Sequence, residues 1–165
     1  MLSPSELLAC LGDPWGRDSY SPLEGNPCLL VDLRQSLPAP WADGLSGLLR
    51  ELPCPTIGVG PRVDARRTSG LAEALDATVD DEQELTAILR NVTAHPLAAA
   101  TLVQLLRHNE STSVEAGLHA ESLAYATLQG SRDFRAFLSR RSAPITPHED
   151  DDPLIATRIG NGLDI

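Results

Sequence analysis

The feature that most constrains this chain is its longest helical run, His95 to Arg141: HPLAAATLVQLLRHNESTSVEAGLHAESLAYATLQGSRDFRAFLSRR. Apolar side chains recur in it at Ala98, Leu102, Leu105 and Leu106, then at Val114, Leu118, Tyr125 and Leu128. That three-and-four spacing puts each set on one face of successive helices. Thr112-x-x-Glu115 has the form of a capping box, in which the hydroxyl takes an orphan backbone N–H and the glutamate reaches back. Gly130-Ser131 reads as a helix stop followed by a new start. The block is therefore helix, turn, helix, turn, short helix. Any fold must find a place for it.

The segments before it alternate in character. Ser3-Pro4-Ser5-Glu6 supplies a cap serine, a proline at the first helical position and a glutamate three residues after the cap. Leu7, Leu8 and Leu11 then share a side up to Gly12, and the glycines and prolines of residues 13–27 predict a loop. Cys28 to Leu33 is a short apolar run that fits a buried strand, although its length alone leaves a helical turn open. Trp41 to Leu52 reads as an amphipathic helix with Leu45, Leu48 and Leu49 inward, and Thr56 to Gly60 as a second strand. Strand, helix and strand within roughly 30 residues is the spacing of a parallel pair with a crossover. A short helix over Thr68 to Leu75, a third strand at Ala77-Thr78-Val79 and a helix capped by Asp81 that carries Leu85, Ile88, Leu89 and Val92 complete this part.

Composition limits what such a chain can bind. A net charge of −10 over 165 residues repels phosphate backbones and anionic lipid, so neither nucleic acid nor a membrane surface is an expected partner. All 13 basic residues counted as Lys or Arg are arginine, which removes Schiff-base and Walker-type lysine chemistry. Cys10, Cys28 and Cys54 form no C-x-x-C pair, and no run reaches the roughly 20 apolar residues of a bilayer span. A signal-peptide pattern is missing at the start of the sequence. A cytoplasmic chain with inert thiols is expected.

The search for a reactive constellation returns little. His95, His108, His119 and His148 lack i+4 partners and cysteine neighbours at ligand spacing, so no metal site is expected. Ser46 lacks the glycine frame of a nucleophile elbow. Gly58-x-Gly60 is followed by Pro61 rather than by a third glycine, which favours a turn over a dinucleotide site. Asp80, Asp81, Glu82 and Glu84 sit where a helix N-terminus favours negative charge. Glu121 falls between Leu118 and Tyr125 on an apolar side, where it is either a catalytic carboxylate or, better favoured, the partner of an arginine on a neighbouring helix.

The strings HPLAAATLVQLLR and SVEAGLHAESLAYATLQGSRDFRAFLSRR resemble the C-terminal helical region of the crotonase (enoyl-CoA hydratase/isomerase) family, in which a helix with a buried glutamate leads to a Ser-x-Asp-Phe turn and a short final helix. Upstream, LLVDL, PTIGVG and GLAEALDATVDD resemble strands and a glycine-led helix of the same spiral, so the resemblance covers residues 28–141. It implies an α/β fold: a shortened crotonase-like ββα spiral with a small parallel sheet and a C-terminal helical block over 95–141, the whole module spanning 1–141. Residues 142–153, with three prolines and the acidic run Glu149 to Asp152, read as a linker. DDPLIATRIGNGLDI resembles the opening hairpin of a further crotonase domain, so 154–165 is expected to be an incomplete β-hairpin turning at Asn161-Gly162, as a truncated gene product would leave it.

The resemblance implies acyl-CoA or fatty-acid metabolism, with a coenzyme A thioester as substrate or ligand and no separate cofactor. It implies weak positions only. Gly70 matches one oxyanion region, and Arg62, Arg66 and Arg67 are the basic residues available for CoA phosphates, or else solvated loop charges. The family's A-G-x-D-L loop and its catalytic carboxylate segment have no counterpart, so the catalytic residues are unassigned and inactivity alone is expected. The alternative is an assembly or regulatory module. In that reading the apolar face of 95–141 packs on a crotonase-family partner or on another copy.

Overall fold

The computed structural model describes residues 1–23, 25–35, 42–60 and 70–141, together with the backbone of 157–159 and 162–164. The fold is mixed α/β and mostly helical, around a three-stranded parallel sheet in the order β1-β2-β3, with β1 at Leu29–Asp32, β2 at Thr56–Val59 and β3 at Ala77–Val79. The register pairs Leu29 with Thr56 and Asp32 with Val59, then Ile57 with Ala77 and Val59 with Val79. Parallel strands require a crossover. The helix α3, Ala42–Glu51, lies between β1 and β2, and the short α4, Leu71–Ala74, between β2 and β3. The N-terminal residue pair extends the sheet edge, because the Leu2 amide donates to the Leu30 carbonyl and the Asp32 amide to the Leu2 carbonyl, both at 2.8 Å.

Helix α1, Pro4–Gly12, starts at a complete capping box: the Glu6 amide donates to the Ser3 hydroxyl, and the Ser3 amide donates to Glu6 Oε2 at 2.7 Å. The next segment corrects the expected loop. Asp13 accepts from the Trp15 amide at 3.1 Å and starts a one-turn helix, α2, Pro14–Asp18. An aspartate before a proline is itself a helix-start signal, and the density of punctuation concealed it.

Alternation along the strands sorts the core into two faces. Leu29 and Val31 share one face with Thr56 and Gly58. Leu29 and Val31 join Leu7 and Leu11 of α1, Leu45 and Leu49 of α3, and Leu71 and Leu75 around α4 in one buried cluster. Ile57 and Val79 take the other face. Val92 of α5, Glu82–Ala94, and Ala100 and Val103 of α6, Pro96–Asn109, are the remaining buried apolar side chains of the helices among the described residues.

The helical block follows the expected order but starts one residue differently. Helix α7, Val114–Gln129, is capped by Ser113, whose hydroxyl accepts from the Ala116 amide at 3.3 Å, so the Thr112-x-x-Glu115 box is corrected to a Ser113 cap. Helix α8, Arg132–Arg141, begins as Ser131 accepts from the Phe134 amide. In the last segment β4, Thr157–Ile159, pairs antiparallel with β5, Gly162–Asp164. Ile159 faces Gly162, which places Gly162 in the second strand rather than in the turn. The linker 142–153 lies outside the described residues. Among those residues no helix is long and apolar enough to cross a membrane.

Candidate functional site

Ligands of parallel sheets gather beyond the carboxyl ends of the strands. Gly70 does lead α4 from a left-handed conformation, φ 81° and ψ 2°, which explains a glycine at that position. One backbone N–H at Gly70 would not make an oxyanion hole, which needs two converging donors. Arg62, Arg66 and Arg67 lie outside the described residues. Gly58 has a packing role: a Cβ there would stand 2.5 Å from Leu33 Cδ1 and 2.9 Å from Leu75 Cδ1. Gly60, at φ 129°, donates its amide to the Val79 carbonyl at 2.9 Å. The Gly58-x-Gly60 pair therefore closes the sheet and does not cradle a phosphate.

The acidic side chain at this edge, Asp32, is already committed. Arg34 Nε donates to one carboxylate oxygen at 2.8 Å, Arg34 Nη2 donates to the other at 3.2 Å, and the Arg34 amide adds a third bond. These donors hold the Asp32 carboxyl below its ordinary range. A carboxylate bonded on both oxygens is a structural anion, poorly placed to take a substrate proton.

The most enclosed ionic group sits at the opposite, amino end of the strands, and sequence reasoning missed it. Arg107 of α6 keeps only 9% of its side chain exposed. Its guanidinium donates to both Asp76 oxygens, at 2.8 and 2.5 Å, to the Leu52 carbonyl at 2.7 Å and to the Cys54 carbonyl at 3.1 Å. Asp76 in turn accepts from the Thr56 amide at 2.7 Å and the Thr56 hydroxyl at 2.9 Å. One bidentate fork thus ties α6 to the loop before β2 and the residue before β3. The signal was available: Ala100, Val103 and Arg107 follow one another at the i, i+3, i+7 spacing of a buried helix face. Every donor of this cluster faces a protein acceptor, so its chemistry is architectural.

Among the described residues no group of three or more His, Cys, Asp or Glu is placed to hold a metal ion. His95 Nδ1 lies 3.4 Å from Asp133 Oδ2 and links the end of α5 to the start of α8. Burial pushes the Cys54 thiol up to about 12, and it also raises the Cys10 and Cys28 thiols. All three cysteines are free. A cleft of ≈ 420 Å³ beside α2 is lined by Arg17, Tyr20, Ser21 and Glu51, and Arg17 and Glu51 pair with each other at 2.9 Å.

What remains is a surface. The apolar side of α7 is open: Val114, Leu118 and Tyr125 are 82%, 59% and 61% exposed, and of α7 only Gly117 is fully buried. Leu102 and Leu106 of α6 and Phe137 of α8 are also exposed. Between α6 and α7 runs a shallow groove of ≈ 380 Å³ lined mainly by small and apolar residues, among them Ala100, Leu105, Ala120 and Ala124. Glu121, expected to be buried beside an arginine, is exposed on this side and has no ion-pair partner among the described residues. Among the described residues no arginine reaches Glu121 within ion-pair distance.

Comparison with protein-family models, with curated proteins and with solved structures finds no match for this chain.

Proposed function

We propose that this chain is a non-catalytic, crotonase-like module of acyl-CoA metabolism that packs through α6, α7 and α8 on a crotonase-family partner. The observation that carries the reading is the exposed stripe Val114, Leu118 and Tyr125 on α7. A helix of this length in a folded domain normally turns such a stripe to the core. Here the core is filled by shorter helices elsewhere. Covering one large apolar side chain is worth about 1.5–3 kcal/mol, so a partner that covers several gains a real driving force.

The absence of turnover rests on the sheet edge. Asp32 is held in a fork with Arg34, Gly70 alone could offer no more than one backbone donor, and the partly enclosed carboxylate Asp76 belongs to the Arg107 clamp. The resemblance supplies the acyl-CoA context, and the surface supplies the role.

Two measurements test the two halves. Sizing and pull-down with a crotonase-family protein should show a complex that a Leu118→Asp variant loses. A monomer with no such affinity would overturn the assembly role. A hydration assay with a short enoyl-CoA should stay at background. Turnover well above background, abolished by replacing one carboxylate, would overturn the non-catalytic half.

A further inference from the structure

Resting on that reading, the structure also names the partner. We infer that the crotonase-like chain covering this face is a second copy of the protein, joined about a two-fold axis so that the α7 stripe of each copy, with Glu121, meets α8 of the other.

Glu121 decides the chemistry of whatever docks. It lies between Leu118 and Tyr125 at helical spacing, in the middle of the surface to be covered. Burying a lone carboxylate costs several kcal/mol unless a cation accompanies it. The cations are on the next helix. Arg132, Arg135, Arg140 and Arg141 of α8 make no ion pair among the described residues, and the one carboxylate of that helix, Asp133, already faces His95. Arg141 packs over the Phe137 ring at 5.4 Å, so the basic face carries apolar surface of its own. Stripe and basic helix are therefore two halves of one contact, carried side by side on the same chain. A two-fold interface requires this kind of self-complementary patch.

Charge over the whole chain selects the same face. The protein carries −10, yet from Glu110 to Arg141 the four α8 arginines balance Glu110, Glu115, Glu121 and Asp133. Two copies of an acidic protein repel through most of their surfaces and approach most easily through the neutral one. The alanines of the α6–α7 groove then allow close helix approach along one edge of the contact.

Light scattering on the full chain over a wide concentration range tests this. A dimer is expected. Leu118→Asp should give a monomer, and Glu121→Arg should weaken self-association by about tenfold or more by setting like charges against each other. Both sites are exposed, so circular dichroism should report an unchanged fold. Arg135→Glu with Arg140→Glu in the Glu121→Arg chain should restore the dimer. A dimer indifferent to Leu118→Asp, or one in which the charge reversal rescues nothing, overturns the arrangement. A chain that stays monomeric yet binds a crotonase-family protein through Leu118 overturns the second copy and leaves the assembly role standing. A monomer that binds neither overturns both.

Discussion

Helices α1 and α7 are opposites. The first has nine residues and buries Leu7 and Leu11 completely; the second has sixteen and buries a glycine. Both carry apolar residues at helical spacing, and both are capped by a serine. The difference lies in what stands opposite. Helix α1 is held against β1, where Leu2 hydrogen-bonds on either side of Val31. Helix α7 touches mainly α6, through Gly117 against Asn109 and through alanines. Periodicity says which side chains share a face, and only the tertiary neighbours say whether that face is covered.

The largest test of this contrast is the Arg107 clamp, the bond by which the helical block is fastened to the sheet. Arg107→Met should cost about 3–5 kcal/mol in urea unfolding, because it leaves the mostly enclosed Asp76 carboxylate without its cation and removes the donor to the Cys54 carbonyl, while the Leu52 carbonyl keeps its bond from Gln104. If the loss falls within the range of an ordinary surface change, α6 is held by apolar packing alone and the clamp is incidental.

A leucine pair asks the question on equal chemistry. Leu49 of α3 is 1% exposed and Leu118 of α7 is 59% exposed. Leu49→Ala should cost about 2–5 kcal/mol by removing core contacts and leaving a cavity. Leu118→Ala measured on dilute monomer should stay within about 0.5 kcal/mol, the range for surface sites. A large loss at Leu118 in the monomer would mean that the chain covers its own stripe.

These two tests also mark where the sequence was readable. The βαβ spacing, the third strand at Ala77–Val79 and the inward Leu45 and Leu49 follow from short-range pattern, and the structure has them. Caps were read to within a residue: Ser3 and Asp81 act as expected, while α7 uses Ser113 instead of Thr112. The Asp76–Arg107 pair escaped because its members are 31 residues apart and its acceptors are backbone carbonyls, which no side-chain pattern advertises. The α7 stripe was legible as a face, but its exposure was not, since that depends on tertiary neighbours. Of the candidate site only Gly70 lies among the described residues, and its left-handed backbone explains a glycine there.

Alkaline pH should loosen the sheet side before it touches the stripe. Burial raises the Cys54 thiol to about 12 from an ordinary 9.0, so between those values the unfolded chain has released a proton that the folded chain retains. The unfolded state then binds fewer protons, and stability falls as pH rises through that window. Cys54→Ala should flatten this part of the profile at some packing cost. In the folded protein at neutral pH, Cys54 should stay unlabelled by a thiol reagent while the half-buried Cys10 and Cys28 react slowly. Rapid labelling of Cys54 would show that the sheet side opens more readily than its packing implies.

The smallest expected effects come from the two serine caps, and they separate the regions by where the loss appears. Ser3→Ala removes the acceptor of the Glu6 amide and the hydroxyl that donates to Glu6 at 2.8 Å, and should cost about 1 kcal/mol. The same change raises Glu6 only part of the way towards its ordinary 4.5, since the backbone amide at position 3, the larger cause of the lowering, stays and only the hydroxyl is lost. The capped helix therefore holds its full advantage above that value and loses it as pH falls through the lowered one, whereas the variant shows a weaker acid dependence. Ser113→Ala removes a cap of similar strength, with one bond to Ala116 and no reciprocal glutamate. Because α1 is buried in the core, the Ser3 loss should appear in global unfolding. Because α7 lies on open surface, the Ser113 loss should appear first as faster amide exchange in its opening turn. Equal global losses from both caps would mean that α7 unfolds only with the core, and the contrast between the two helices would then be one of exposure without one of cooperativity.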